Sequence, residues 1–476
     1  MQHPRNQYLS LHAYSLVKAV TIAFFLSHSC KGASPAALEG DAAPALGRIP
    51  RSQQAMYTMN LTGAYNFQLS YQVSPSISDD PFYTAPANSS GASAGTLLKV
   101  EKESNTSRYT LPPSLSLSRF MYQSKTSNNT LVPVTGFILW PYAARPHRGG
   151  IPIVAWAHGT SGSAPECAPS NMQNLWYQFQ GLYEIALHGY AVIATDYAGL
   201  GVASDASGKA IVHEYATGPA QANDLFYSVP AARQAFPSLS EGFVTMGHSQ
   251  GGGAAWAFAE KLAKEPMDGY LGTVALSPFT RYLDLPPEEP IVPAIVLFLI
   301  PNLQSNYAPF EPVDILTPQG TQSLEYLTQL HGCTTVVYQL VGPDLLKPGW
   351  QKNSAIQKHQ NVAASGGKPI SGPFLVIQGE ADPIIYPPTV EAAINDTAQM
   401  FPDAQIEFHL LPNVTHTPTM YAGLPIYLEW INARFAGEAA RAGYHRFVAT
   451  LARPPSSLQT ESNWFIQKQL EPYQMS

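Results

Sequence analysis

Charge is scarce in this chain. Only 12% of its 476 residues are Asp, Glu, Lys or Arg, about half the usual share. The formal net charge is −7, and no basic run is longer than a pair. Without a basic stripe to neutralise phosphates, nucleic acid is excluded as a partner class. The surface is left to Ser, Thr, Asn, Gln and Tyr, which suits an extracellular protein. Long apolar runs are missing too. The run Ala19 to Leu26 is closed upstream by Lys18, and nothing downstream approaches the roughly 20 residues a membrane span requires. Cysteine is reduced to Cys30, Cys167 and Cys333. The histidines are scattered, and neither H-E-x-x-H nor C-x-x-C occurs, so no metal site and no cofactor are expected.

What is present begins with a targeting segment. Arg5 and Lys18 precede the apolar run, and Ser27, Ser29, Gly32 and Ala33 follow it, so residues 1–33 read as a signal peptide, with an uncleaved anchor as the competing reading. The expected location is therefore outside the cell. Six Asn-x-Ser/Thr sequons, at Asn60, Asn88, Asn105, Asn128, Asn395 and Asn413, fit passage through a glycosylating compartment. With Cys30 in the signal, Cys167 and Cys333 remain as an even pair, for which a disulfide is expected and two buried free thiols are the alternative.

Residues 34 to about 75 show no sustained period and are expected to wrap the surface. Gly95–Glu101, Leu115–Tyr122 and Pro133–Trp140 are β-branched and aromatic runs that predict antiparallel strands. From residue 150 the pattern becomes short apolar runs separated by helix-length segments: Ile151–Trp156, Tyr190–Ala194, Phe243–Met246, Gly272–Leu276, Phe374–Gln378 and Ile406–Leu411. Buried parallel strands with crossover helices read this way. The long gap between the fourth and fifth runs holds the apolar stretch Ile291 to Pro301 and is expected to form a cap, because structureless loops of that length are uncommon. The predicted organisation is a core of residues 34–280 and 371–436, a cap of 281–370, and a C-terminal tail of 437–476.

The chemistry centres on Gly247-His-Ser-Gln-Gly, a G-x-S-x-G pattern between a strand-like run and an Ala-rich helical run. That context predicts a nucleophile elbow with Ser249 on a strained turn, flanked by glycines because Cβ atoms would collide there. The helix behind it adds partial positive charge. Gly91-Ala-Ser-Ala-Gly matches the same pattern without a helix behind it, so Ser93 reads as loop. A serine hydroxyl needs an adjacent base oriented by a third group, and in an α/β-hydrolase fold the chain order is Ser, acid, His. Asp382 follows the run Phe374–Gln378 and is the expected acid, with Glu380 as the alternative. Of the histidines that follow, His409 falls inside a predicted strand and His445 in the tail. His416, in a loop after a strand, is the expected general base. Oxyanion donors are expected from Gln250 and from Thr160, with Gly159 allowing close backbone approach in the loop after Ile151–Trp156. A plain glycine turn is the competing reading of that loop.

Taken with Ala157-His-Gly-Thr, Pro165-Glu-Cys-Ala-Pro-Ser, Asp196-Tyr-Ala-Gly-Leu-Gly, Gln378-Gly-Glu-Ala-Asp-Pro and Val414-Thr-His, the chain resembles the fungal secretory lipases, the yeast lipase A-like α/β-hydrolases, over residues 80 to about 436. The resemblance implies an acyl-enzyme mechanism and a mostly parallel sheet with a helical cap inserted before the strand that carries the acid. It also implies a disulfide from the Cys-Ala-Pro-Ser loop to that cap, matching Cys167 and Cys333. Relatives in that family cleave triacylglycerols or deacetylate small metabolites such as cephalosporins and trichothecenes, and this chain lacks the yeast lipase's second disulfide. The expected partner is a small-molecule or lipid ester, met at a transient lipid interface where the ester is lipid, with no obligate protein partner. A small-metabolite deacetylase, a serine peptidase on the same fold and a non-catalytic binding protein are the competing readings.

Overall fold

The structure is a computed structural model in which residues 51–177, 180–342 and 344–459 are described. The expected signal segment 1–33, with Cys30, lies outside the described residues. The strands are β1 (Leu97–Glu101), β2 (Ser116–Lys125), β3 (Leu131–Trp140), β4 (Ile151–Ala157), β5 (Ala191–Thr195), β6 (Leu239–His248), β7 (Tyr270–Leu276), β8 (Phe374–Gly379), β9 (Ile406–Leu411) and β10 (Tyr444–Val448). They form one sheet in the order β1-β2-β3-β5-β4-β6-β7-β8-β9-β10. β1, β2, β3 and β5 pair antiparallel, and β5, β4 and β6 to β10 pair parallel. Each predicted run became a strand, with ends shifted by a few residues.

Every residue of β5 and β8 is buried, and all but the first of β4. Successive side chains point to opposite faces, so the sheet is covered on both. The covering helices include α2 (Leu182–Leu187), α3 (Gly218–Ala235), α4 (Gln250–Leu262), α9 (Pro387–Met400), α10 (Thr419–Ala422) and α11 (Leu424–Phe435). The remaining helices are α1 (Arg51–Tyr71) and four between β7 and β8: α5 (Val292–Asn306), α6 (Pro318–Gln329), α7 (Thr334–Leu340) and α8 (Ser354–Ala363). These four pack around Val296, Leu297, Leu299 and Ile300 of α5 in an apolar cluster that also takes in Leu61 of α1, Tyr215 and Ala216.

One segment departs from expectation. Residues 51–71 form α1 where no regular structure was predicted. Its buried stripe is Leu61, Ala64, Gln68 and Tyr71, spaced for a helix but half polar, so the apolar period is diluted. The polar members have partners: Gln68 Oε1 accepts the Cys333 N–H at 2.7 Å, and Tyr71 Oη lies 3.0 Å from Thr335 Oγ1. The tail contributes a strand. Its β10 extends the sheet beside β9, Tyr444 opposite Ile406, and remains largely exposed as an edge strand. A disulfide joins Cys167 to Cys333 across 166 residues. The six sequon asparagines are all exposed.

Candidate active site

β4, β6, β8 and β9 run parallel, so their carboxyl ends share one edge of the sheet, where ligands bind in open α/β folds. The loops after them carry Thr160, Ser249, Asp382 and His416. Ser249 follows β6 and precedes the first turn of α4, with φ 60° and ψ −122°. A non-glycine residue there costs about 1–3 kcal/mol and persists only where its surroundings impose it. They do: Ser249 N–H donates to the Leu276 carbonyl at 2.9 Å, and its own carbonyl accepts from Phe279 N–H at 3.0 Å and Gly253 N–H at 3.1 Å. A Cβ at Gly247 would lie 2.1 Å from the Gly251 carbonyl oxygen, and one at Gly251 would lie 1.9 Å from that of Ala157.

Asp382 is held on both oxygens. Oδ1 accepts from the Ile384 and Ile385 N–H groups at 2.9 Å each, and Oδ2 accepts from Gln378 Nε2 at 3.1 Å and from His416 Nδ1 at 2.8 Å. Burial pushes this carboxyl upward, but the adjacent His416 imidazole and the hydrogen bonds from His416, Ile385 and Ile384 outweigh it and hold it below the ordinary carboxylate value. An ionised carboxylate only accepts, so His416 Nδ1 carries the proton and Nε2 is left as the basic nitrogen. Glu380, the alternative acid, is exposed and accepts the Asn413 N–H at 3.3 Å. His409 lies within β9 and His445 within β10.

Ser249 and His416 line one cavity of about 100 Å³ together with Gly159, Thr160, Tyr177, Tyr215 and His248. Among the described residues no hydrogen bond joins Ser249 Oγ to the His416 ring; such bonds are often long before substrate binds and tighten in the reacting complex. The far wall is apolar. Ile291, Ala294, Ile295 and Phe298 line it, an i, i+3, i+4, i+7 stripe at and beyond the start of α5.

The Thr160 N–H forms no hydrogen bond among the described residues, and the Gln250 N–H, in the first turn of α4, has no intrahelical partner. Both are free to face an oxyanion. Thr160 is clamped around that N–H. Its carbonyl accepts from Thr334 Oγ1 at 3.0 Å, its Oγ1 lies 2.9 Å from Tyr215 Oη, and the next carbonyl, of Ser161, accepts from Thr334 N–H at 2.9 Å. His158 Nδ1 lies 2.7 Å from the Gly159 carbonyl, which fixes the peptide plane that aims Thr160 N–H. Gly159 N–H donates to Tyr177 Oη at 2.5 Å, and a Cβ there would lie 2.4 Å from that hydroxyl and 3.3 Å from the Ser249 Cβ.

Tyr177, Tyr215, His248 and Thr334 were not singled out from the sequence. His248 lies inside the serine motif, where the pattern accepts any residue, and the other three are isolated polar side chains whose neighbours are distant in the chain. Only folding brings them in.

A family model for the Alpha/beta hydrolase family matches residues 154–423. No curated protein sequence matches the chain. Among solved structures, Candida antarctica lipase A is similar at TM-score 0.62 and 16% identity, covering 79% of this chain and 91% of that one. Its closed state gives 0.61 and 17%, covering 77% and 87%. A mutant of LipA, the rice cell wall degrading esterase of Xanthomonas oryzae, is similar at TM-score 0.56 and 16% identity, covering 72% and 98%. At these identities the likeness is one of fold, and the lipase A-like architecture is shared over most of the chain.

Proposed function

The chain belongs to the alpha/beta hydrolase family, and from that premise we propose that it is a secreted serine carboxylic-ester hydrolase working through an acyl-enzyme on Ser249. The observation that carries this reading is the 2.8 Å contact of His416 Nδ1 with Asp382 Oδ2 beside a cavity that Ser249 also lines. His416 Nε2 takes the Ser249 proton as Oγ adds to the ester carbonyl. The oxyanion is held by the Thr160 and Gln250 N–H groups, each such donor being worth about 2.7 to 4 kcal/mol of barrier. His416 then protonates the leaving alcohol, and water activated by the same nitrogen releases the acid. Asp382 keeps the tautomer and balances the imidazolium.

Residues 281–370 act as the lid of this site, and the α5 stripe gives the acyl group an apolar wall. The exposed sequons and the disulfide support a secreted glycoprotein. Hydrolysis rates on p-nitrophenyl esters from acetate to palmitate, with release of amine from aminoacyl-amides as the contrast, test the class. Turnover of the esters alone is expected. Activity confined to acetate would make the protein a deacetylase of small acetylated molecules, and turnover of the amides alone would remove the ester reading.

A further inference from the structure

Three hydrogen bonds cross the site behind the nucleophile. Gly159 N–H donates to Tyr177 Oη at 2.5 Å, Tyr177 Oη lies 3.3 Å from His248 Nδ1, and His248 Nε2 lies 3.3 Å from the His416 carbonyl oxygen. The proton positions follow from the inventory of donors and acceptors. A carbonyl only accepts, so His248 Nε2 must carry hydrogen. Burial pushes the pKa of His248 down to about 3, and the nearby His416 adds to this, so its ring is neutral and Nδ1 offers a lone pair. Tyr177 has one proton; its oxygen already accepts from Gly159, and the proton is left for Nδ1. The other neutral tautomer would set a lone pair of Nε2 against the lone pairs of the His416 carbonyl. One arrangement satisfies all three contacts, with every donor pointing the same way along the chain.

The chain begins in the loop that presents Thr160, passes through the residue immediately before Ser249, and ends on the backbone of the expected general base. Tyr177 and His248 are both buried, and a Cβ on Gly159 would fall 2.4 Å from the Tyr177 hydroxyl and 3.3 Å from the Ser249 Cβ, so the hydroxyl occupies the space that glycine leaves open. Resting on the triad reading above, we propose that Tyr177 and His248 are positioning residues: their relay from the Gly159 N–H to the His416 carbonyl sets the separation of the oxyanion loop and the general-base loop across Ser249.

The test uses the purified full chain and p-nitrophenyl acetate. Tyr177→Phe and His248→Phe should each lower kcat by roughly 10- to 100-fold, in line with the cost of small displacements at a reacting centre, while KM moves by less than about threefold. Because the relay is one unit, the double variant should cost no more than the worse single variant, where independent effects would multiply. His248→Gln keeps a donor and an acceptor and should recover most of the loss. Unchanged kcat in Tyr177→Phe, multiplicative losses, or a His248→Gln variant as poor as His248→Phe would overturn the relay. Should His248→Phe fail to fold, Tyr177→Phe and His248→Gln decide between these outcomes. Fluorophosphonate labelling separates the two readings. If the wild type is labelled at Ser249 and the kinetics disagree, the relay alone is wrong; if it is not labelled, the triad reading falls and takes the relay with it.

Discussion

The same five-residue pattern occurs twice in this molecule and means different things. At Gly91–Gly95 the central Ser93 is exposed in a loop before β1, and a Cβ at Gly91 would meet nothing within 4 Å. At Gly247–Gly251 the central Ser249 sits at positive φ between a strand and a helix, and a Cβ at either flanking glycine would strike a carbonyl oxygen at about 2 Å. In the first place Gly91 is dispensable and Gly95 is needed only for its own φ of 87°, whereas in the second both glycines are required by the crowding around the serine. A motif is therefore evidence of chemistry only where backbone crowding makes its residues necessary.

The comparison can be broken most directly at the serines. Ser249→Ala should cut ester turnover by about 10⁶-fold, the loss expected when a nucleophile acting as part of a unit is removed, whereas Ser93→Ala should match the wild type; equal losses in the two kcat measurements would dissolve the distinction. The next largest effect sharpens it through the partners that only Ser249 has. Asp382→Asn should lower kcat by about 10⁴-fold by favouring the wrong His416 tautomer. Because the folded carboxyl sits below its unfolded value of about 3.9, Asp382 contributes stability that is complete above that value and fades as pH falls through the lower folded one. The Tm gap between wild type and Asp382→Asn should then narrow below about pH 4, and a gap that widens there would contradict the assigned ion pair. The smallest effect lies in the glycines. Gly251→Ala should cost about 3 kcal/mol or more, the upper end of overpacking, while Gly91→Ala should stay within about 0.5 kcal/mol, both read from denaturant midpoints.

The central strands were legible because they are buried on both faces and so appear as apolar runs, and Ile406–Leu411 matched to the residue. Ser249, Asp382 and His416 were legible for a related reason: each follows such a run, and the elbow needs glycine on both sides. α1 was not, because Gln68 occupies its buried stripe and meets a backbone N–H from far along the chain. β10 was hidden by being an edge strand of mixed polarity. The surroundings of the donor in the oxyanion loop are a different matter. Thr160 was expected as the donor, but the Tyr177 hydroxyl that takes up the neighbouring Gly159 N–H is announced by no local pattern.

The segment between β7 and β8 is fastened to the core at one corner. The Cys167–Cys333 bond, the Gly162–Cys333 bridge and the paired contacts of Thr334 with Thr160 and Ser161 all fall within a few residues, where α7 meets the loop after β4. That corner is sewn down both covalently and through the backbone. The tethered strip is also the one that carries the Thr160 N–H, so loosening α7 there would loosen that N–H with it.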